Sequence, residues 1–144
     1  MPATEGTDVY FLYDDDNLYV GVNLFYEDAT KIIANGLGLD FPPGETDSVN
    51  VVISSLNDGR SAFSFTTNPL GGKRDQQVSN DGQGDLDWEG VWDVVTSIND
   101  EGWIAEFTIP FKTLRYQLDE MQVWGFQVER INRWKNEISY VNRV

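Results

Sequence analysis

The chain has 144 residues, 40% of them hydrophobic, enough for one domain with a single buried core. It contains no histidine and no cysteine, which excludes disulfides, thiolate nucleophiles, imidazole bases and Cys-ligated zinc. Its net charge of −14, from 24 acidic and 10 basic residues, argues against nucleic acid, anionic polysaccharide and anionic lipid as partners, because each requires a basic footprint.

The acids are concentrated early, where Lys31 is the one base in residues 1–50. From Phe111 onward the bases outnumber the acids. No apolar stretch reaches the roughly 18–20 residues that span a bilayer as a helix. No basic-then-apolar signal-peptide pattern is read at the N-terminus. Neutral ligands and hard cations suit such a chain best.

In chain order, Val9 to Tyr13 is a β-prone run, ended by the turn Asp14-Asp15-Asp16-Asn17. Leu18 to Tyr26 follows, with Leu18, Val20, Val22 and Leu24 on one face and Tyr19, Gly21 and Asn23 on the other. Residues 27–47 read as irregular, with a short helical piece around Thr30 to Ala34. Val49 to Ile53 is a strand, and Asn57-Asp58-Gly59 is a hairpin signal leading into Ser61 to Thr67. Asn68 to Gly90, rich in Gly and Asp, reads as a long functional loop. Trp92 to Ile98 alternates, turns at Asn99-Asp100-Glu101-Gly102, and returns as Trp103 to Ile109. Pro110 suits the start of a short helix near 111–115, and Val123 to Ile131 is the final long strand. These seven β-type runs predict an all-β, antiparallel β-sandwich spanning residues 1–144 as one domain.

Several blocks carry a resemblance. Val9 to Val22, Thr67 to Asp75, Trp88 to Asp93, Gly102 to Arg115 and Trp124 to Arg130 together resemble carbohydrate-binding module family 9-like domains. They are most similar to those heading bacterial outer-membrane proteins whose C-terminal half is a domain of unknown function. The resemblance implies a sandwich module, neutral-glycan recognition, structural calcium in some members, and an extracytoplasmic setting. Such domains open with an Ile-Asp-Gly segment and a later Trp, and this chain starts beyond them. A fragment of a larger protein, lacking its N-terminal strand, is therefore expected.

Neutral-glycan sites stack pyranose C–H faces on aromatic rings and fix hydroxyls with amides, carboxylates and guanidinium groups. Trp88 is the leading platform, because it lies in the Gly/Asp loop rather than on an alternating face. Asn68, Arg74 and Asp75 lead into that loop, and Asp87 and Glu89 flank the indole. Trp92, Trp103 and Trp124 fall on core-like faces, but Trp92 is counted among the binding candidates as well. Trp134 lies in the basic tail near Arg130, Arg133 and Lys135, where stacking against an arginine or covering a missing partner domain is expected rather than ligand binding. Calcium requires six to eight oxygens, and Asp14 and Asp16, or Asp81 and Asp85, are the dense sources.

Three functions follow: a non-catalytic module binding a neutral saccharide at the Trp88 loop, a structural domain attached to a C-terminal outer-membrane β-barrel, and a carboxylate-based glycoside hydrolase. For the last, Asp85, Asp87, Glu89 and Glu129 supply carboxylates, but no spacing sets them at a catalytic separation.

Overall fold

The computed structural model describes residues 6–34, 46–54, 62–78, 84–85, 91–114, 125–135 and 137–141. These form ten strands: β1 (Thr7–Tyr13), β2 (Asn17–Phe25), β3 (Ser48–Ser54), β4 (Ala62–Thr67), β5 (Lys73–Val78), β6 (Gly84–Asp85), β7 (Asp93–Asn99), β8 (Gly102–Pro110), β9 (Gly125–Asn132) and β10 (Glu137–Val141). Two sheets result, a four-stranded one in the order β1-β2-β8-β7 and a six-stranded one in the order β10-β9-β3-β4-β5-β6. Every pairing is antiparallel. The fold is the predicted antiparallel β-sandwich.

Alternation explains which side chains enter the core. Val20, Val22 and Leu24 of β2 and Trp103, Phe107 and Ile109 of β8 form one inner face. Val49, Val51 and Ile53 of β3, Phe63 and Phe65 of β4, and Val128 of β9 form the other. Burying side chains of this size contributes about 1.5–3 kcal/mol each. The interior is therefore the main driving force for closure.

The predicted helical pieces are both short 3-10 turns, at Ala29–Lys31 and Phe111–Thr113. Two strands fall within the span read from sequence as a loop. Strand β5, Lys-Arg-Asp-Gln-Gln-Val, lacks an apolar face because its inward position is Asp75, so period-two reading passes over it. Strand β6 is only two residues long. Strand β10 was also missed, being a short edge strand within a charged tail.

Turn chemistry follows the sequence closely. Asp14 Oδ1 accepts from the Asp16 and Asn17 amides at 2.9 and 2.7 Å, closing the β1–β2 turn. Asn99 Oδ1 accepts from the Glu101 and Gly102 amides at 2.8 and 3.0 Å, closing the β7–β8 turn. Gly102 has φ of +150, and a Cβ there would lie 1.9 Å from the Leu24 carbonyl oxygen. Any side chain at this position must displace backbone.

One end of the sandwich is fastened by a buried polar cluster. Asp47, fully buried, accepts from the Tyr26 hydroxyl at 2.5 Å, the Ile33 amide at 3.1 Å and the Arg133 amide at 2.7 Å. The Trp103 indole N–H donates to Tyr26 Oη at 3.2 Å. The Arg130 guanidinium lies 4.8 Å from the Tyr26 ring and donates to the Gly6 and Phe25 carbonyls at 2.8 and 2.7 Å. Arg130 thus ties β9 to the β1–β2 hairpin across the sandwich.

Replacing Asp47 by Ala removes one acceptor from three donors, and the loss per hydrogen bond to a charged group is about 1.5–3 kcal/mol. Urea denaturation should show destabilisation of at least about 3 kcal/mol. Burial, followed by the Asp47 contact, raises the Tyr26 phenol well above the ordinary tyrosine value. The unfolded chain ionises tyrosine near pH ~10, so this contribution is fully present below that pH and declines as pH rises further. Stability measured above that point should fall less steeply in Tyr26→Phe than in the wild type.

Candidate functional site

The inner faces of both sheets are committed to the core, so recognition chemistry must sit on the outer faces or in loops. The outer face of the six-stranded sheet mixes polar residues, of which Ser64 and Thr66 are buried, with Val52, Ile131 and Ile138. Asn50 interrupts the Val49-Asn50-Val51 run, Ser64 and Thr66 alternate with Phe63 and Phe65, and Gln127 and Glu129 alternate with Val128.

Register sets five of these residues in one line. Tyr140 pairs with Glu129, Glu129 with Asn50, Asn50 with Thr66, and Thr66 with Arg74. A phenol, a carboxylate, an amide, a hydroxyl and a guanidinium therefore lie side by side across strands β10, β9, β3, β4 and β5. Cross-strand neighbours on one face stand about 4.5–5.5 Å apart, so the row is about as long as a short oligosaccharide.

Hydrogen bonds orient the row. Asn50 Oδ1 accepts from Ser64 Oγ at 2.6 Å and Thr66 Oγ1 at 3.0 Å. That fixes the amide plane and turns its nitrogen, a double donor, along the face. At the far end Tyr140 is about half exposed. The charge of Glu129 and a hydrogen bond to it hold the Tyr140 phenol above the ordinary tyrosine range. The phenol stays protonated, with one ring face toward solvent.

The residues singled out in the sequence fall into three groups. Arg74 joins the outer-face row. Trp92, Asn68 and Asp75 are structural, a correction to their reading as ligand contacts. Trp92 is 3% exposed, donates its indole N–H to Asp75 Oδ2 at 2.5 Å, and packs on Phe65 and Phe107 at 5.2 and 5.9 Å. It therefore bridges the two sheets and offers no ring face to a sugar. Asn68 is fully buried, and its Oδ1 accepts from the Leu70 and Gly72 amides at 3.0 and 2.9 Å to close the β4–β5 turn. Trp88, Asp87, Glu89 and Asp81 lie outside the described residues, as does Trp124.

The proposed calcium ligands separate likewise. Asp14 is fully engaged, since besides the two turn amides its Oδ2 accepts the Tyr19 hydroxyl at 2.7 Å. The Tyr19 bond and those amides hold its carboxyl below the ordinary aspartate value. Asp14 and Asp16 both act on the Tyr19 phenol, but among the described residues no group of three or more acids could hold an ion. The Asp14–Asp16 hairpin does not fit a calcium site. Asp85 is in β6, where only its backbone is described.

Trp134 is about half exposed, with Lys31 Nζ 4.3 Å from its ring. The cation over the ring is thus Lys31, not the expected arginine.

Sequence reading missed Asn50, Thr66, Glu129 and Tyr140 as a group. The available signal was a set of polar residues alternating with core positions on strands that become neighbours. Strand order, which alternation does not reveal, was needed to align them.

A family model described as "Carbohydrate family 9 binding domain-like" matches residues 3–139. The chain belongs to that family. Among solved structures, a protein from Bacteroides uniformis proposed to bind carbohydrate is similar to it at TM-score 0.74 and 13% identity, covering 96% of this chain and 69% of its own. A family 9 carbohydrate-binding module from Caldicellulosiruptor kristjanssonii in complex with glucose gives TM-score 0.59 at 15% identity, over 90% of this chain and 61% of that one. The same module in complex with cellotriose gives 0.60 at 15% identity, over 92% and 60%. No curated protein matches the chain. At these identities the structural likeness shows the fold, and the family is that of a carbohydrate-binding module.

Because Trp92 fills the seam between the sheets, Trp92→Ala should lower stability by about 3–5 kcal/mol, as large aromatic truncations in cores do. Trp92→Phe, which keeps ring packing but removes the donor to Asp75, should cost less than Trp92→Ala in the same denaturation assay.

Proposed function

We propose that this domain is a non-catalytic module that holds a neutral saccharide on the outer face of its six-stranded sheet. The observation that carries this reading is the Tyr140–Glu129–Asn50–Thr66–Arg74 row. A sugar ring needs acceptors for its hydroxyl hydrogens, donors for its hydroxyl oxygens and an aromatic face for its C–H groups. Glu129 supplies the first, Asn50 and Arg74 the second, and Tyr140 the third. The excess of acids, 24 against 10 bases, favours uncharged glycans over anionic ones.

Trp88, with Asp87 and Glu89, stays in the proposal as a sugar contact on the strength of the sequence alone. The related module with glucose and with cellotriose bound supports a gluco-configured ligand class. Hydrolysis is not part of the proposal. Glycosidases work with two opposed carboxylates, and the row contains one. An extracytoplasmic setting, with a C-terminal β-barrel as the module's neighbour, belongs to the same proposal and rests on the sequence resemblance.

Titration calorimetry against glucose, galactose, mannose, xylose and cellotriose tests it. At least one sugar should bind, and Tyr140→Ala and Asn50→Ala should each weaken binding about tenfold, equivalent to about 1.4 kcal/mol. Trp88→Ala should weaken it further. If the folded wild type binds none of the panel, the proposal fails.

A further inference from the structure

The opposite outer face, on the four-stranded sheet, carries a second feature. Register places Tyr10 beside Gly21, and Gly21 beside Glu106. The neighbouring rows place Tyr19 beside Thr108 and Asn23 beside Ile104. With no side chain at Gly21, these residues surround a trough of about 240 Å³ at the middle of the sheet.

Tyr10, Tyr19, Leu12 and Ile104 wall it. A Cβ on Gly21 would sit 3.9 Å from Tyr10 Cβ and Cδ2, so the Tyr10 ring packs beside the glycine. The Tyr19 hydroxyl donates to Asp14 at 2.7 Å and accepts from the Asn17 amide nitrogen at 3.2 Å, which holds the second ring in place. The rim is polar. Asn23 offers a donor and an acceptor, Glu106 is an exposed carboxylate, and Thr108 contributes a hydroxyl.

From this arrangement we infer a second saccharide site, sized for one uncharged pyranose ring stacked on tyrosine over Gly21. Glu106 and Asn23 take the ring hydroxyls, and Thr108 bonds at the far side. An anionic ligand is disfavoured by Glu106, together with Asp8 and Asp93 on the same face. An added peptide strand is disfavoured too, because the trough lies over β2, an inner strand whose backbone is engaged by β1 and β8. The inference takes its ligand class from the proposed function, but it concerns a separate face, so the two can fail independently.

The test is an amide-resolved NMR titration of the full chain with glucose, galactose, mannose, xylose and cellotriose. At least one sugar should shift the Asn23, Glu106 and Thr108 amides, separately from any shifts at Asn50 and Glu129. Gly21→Val suits a strand and fills the trough; it should weaken the first set at least tenfold and leave the second unchanged. Should Gly21→Val not fold, Tyr10→Ala and Glu106→Gln should produce the same selective loss. The inference is overturned if no sugar moves the first set, or if these variants leave it unchanged. It is also overturned if the shifts follow protein concentration without sugar, which would mark self-association. Loss of only the Asn50 and Glu129 responses would instead count against the proposed function.

Discussion

A carboxylate buried to zero exposure must find donors or it will oppose folding. Asp47 finds three, from residues 21, 14 and 86 positions away in sequence. It thereby fixes the chain leaving the Ala29–Lys31 turn, the start of β3 and the connection after β9 to one point. Tyr26 extends that point to Trp103, and Arg130 stacks on Tyr26 while reaching the Gly6 and Phe25 carbonyls. Aliphatic burial closes the sandwich, but it is indifferent to small slips between the sheets. The Asp47–Tyr26–Arg130 cluster is directional, and it sets how the sheets are aligned.

That alignment matters because the proposed recognition surfaces are rows that cross several strands. A one-residue slip of β9 against β3 would turn Glu129 inward and Val128 outward. Asn50 would then face an apolar neighbour in place of a carboxylate. The outer-face chemistry of both sheets is thus a consequence of an interior that admits one register. On the six-stranded sheet the row is continuous from phenol to guanidinium. On the four-stranded sheet the missing side chain at Gly21 opens the row instead of extending it.

Much of the architecture could be read from residue order. The pattern Leu18, Val20, Val22, Leu24 indicated a strand and its buried face, and Asp14 and Asn99 identified their own turns. What escaped reading has physical causes. Strand β5 points Asp75 into the interior, where the Trp92 indole, 17 residues on, meets its carboxylate. The partner gives the position its meaning, and alternation cannot supply the partner. Trp92 was ambiguous for the same reason, since an indole before a strand can face solvent or seal a seam. Within the outer-face row, Arg74 was grouped from the sequence with Asn68 and Asp75, which precede and follow it. Its lateral neighbour is Thr66, across a strand boundary.

The strand order has a further consequence for biosynthesis. Each sheet mixes early and late segments, β1 and β2 with β7 and β8, and β3 to β6 with β9 and β10. A nascent chain emerging from the ribosome cannot complete either layer until β8 and β9 have been made. Until then the unpaired edges of β2 and β3 await partners more than 70 residues downstream, β8 and β9 respectively. Topologies dominated by such distant pairings fold slowly and leave edges open to misassembly while they wait. The acids, densest over residues 1–50, would help keep those waiting hairpins apart in the crowded space where they are made.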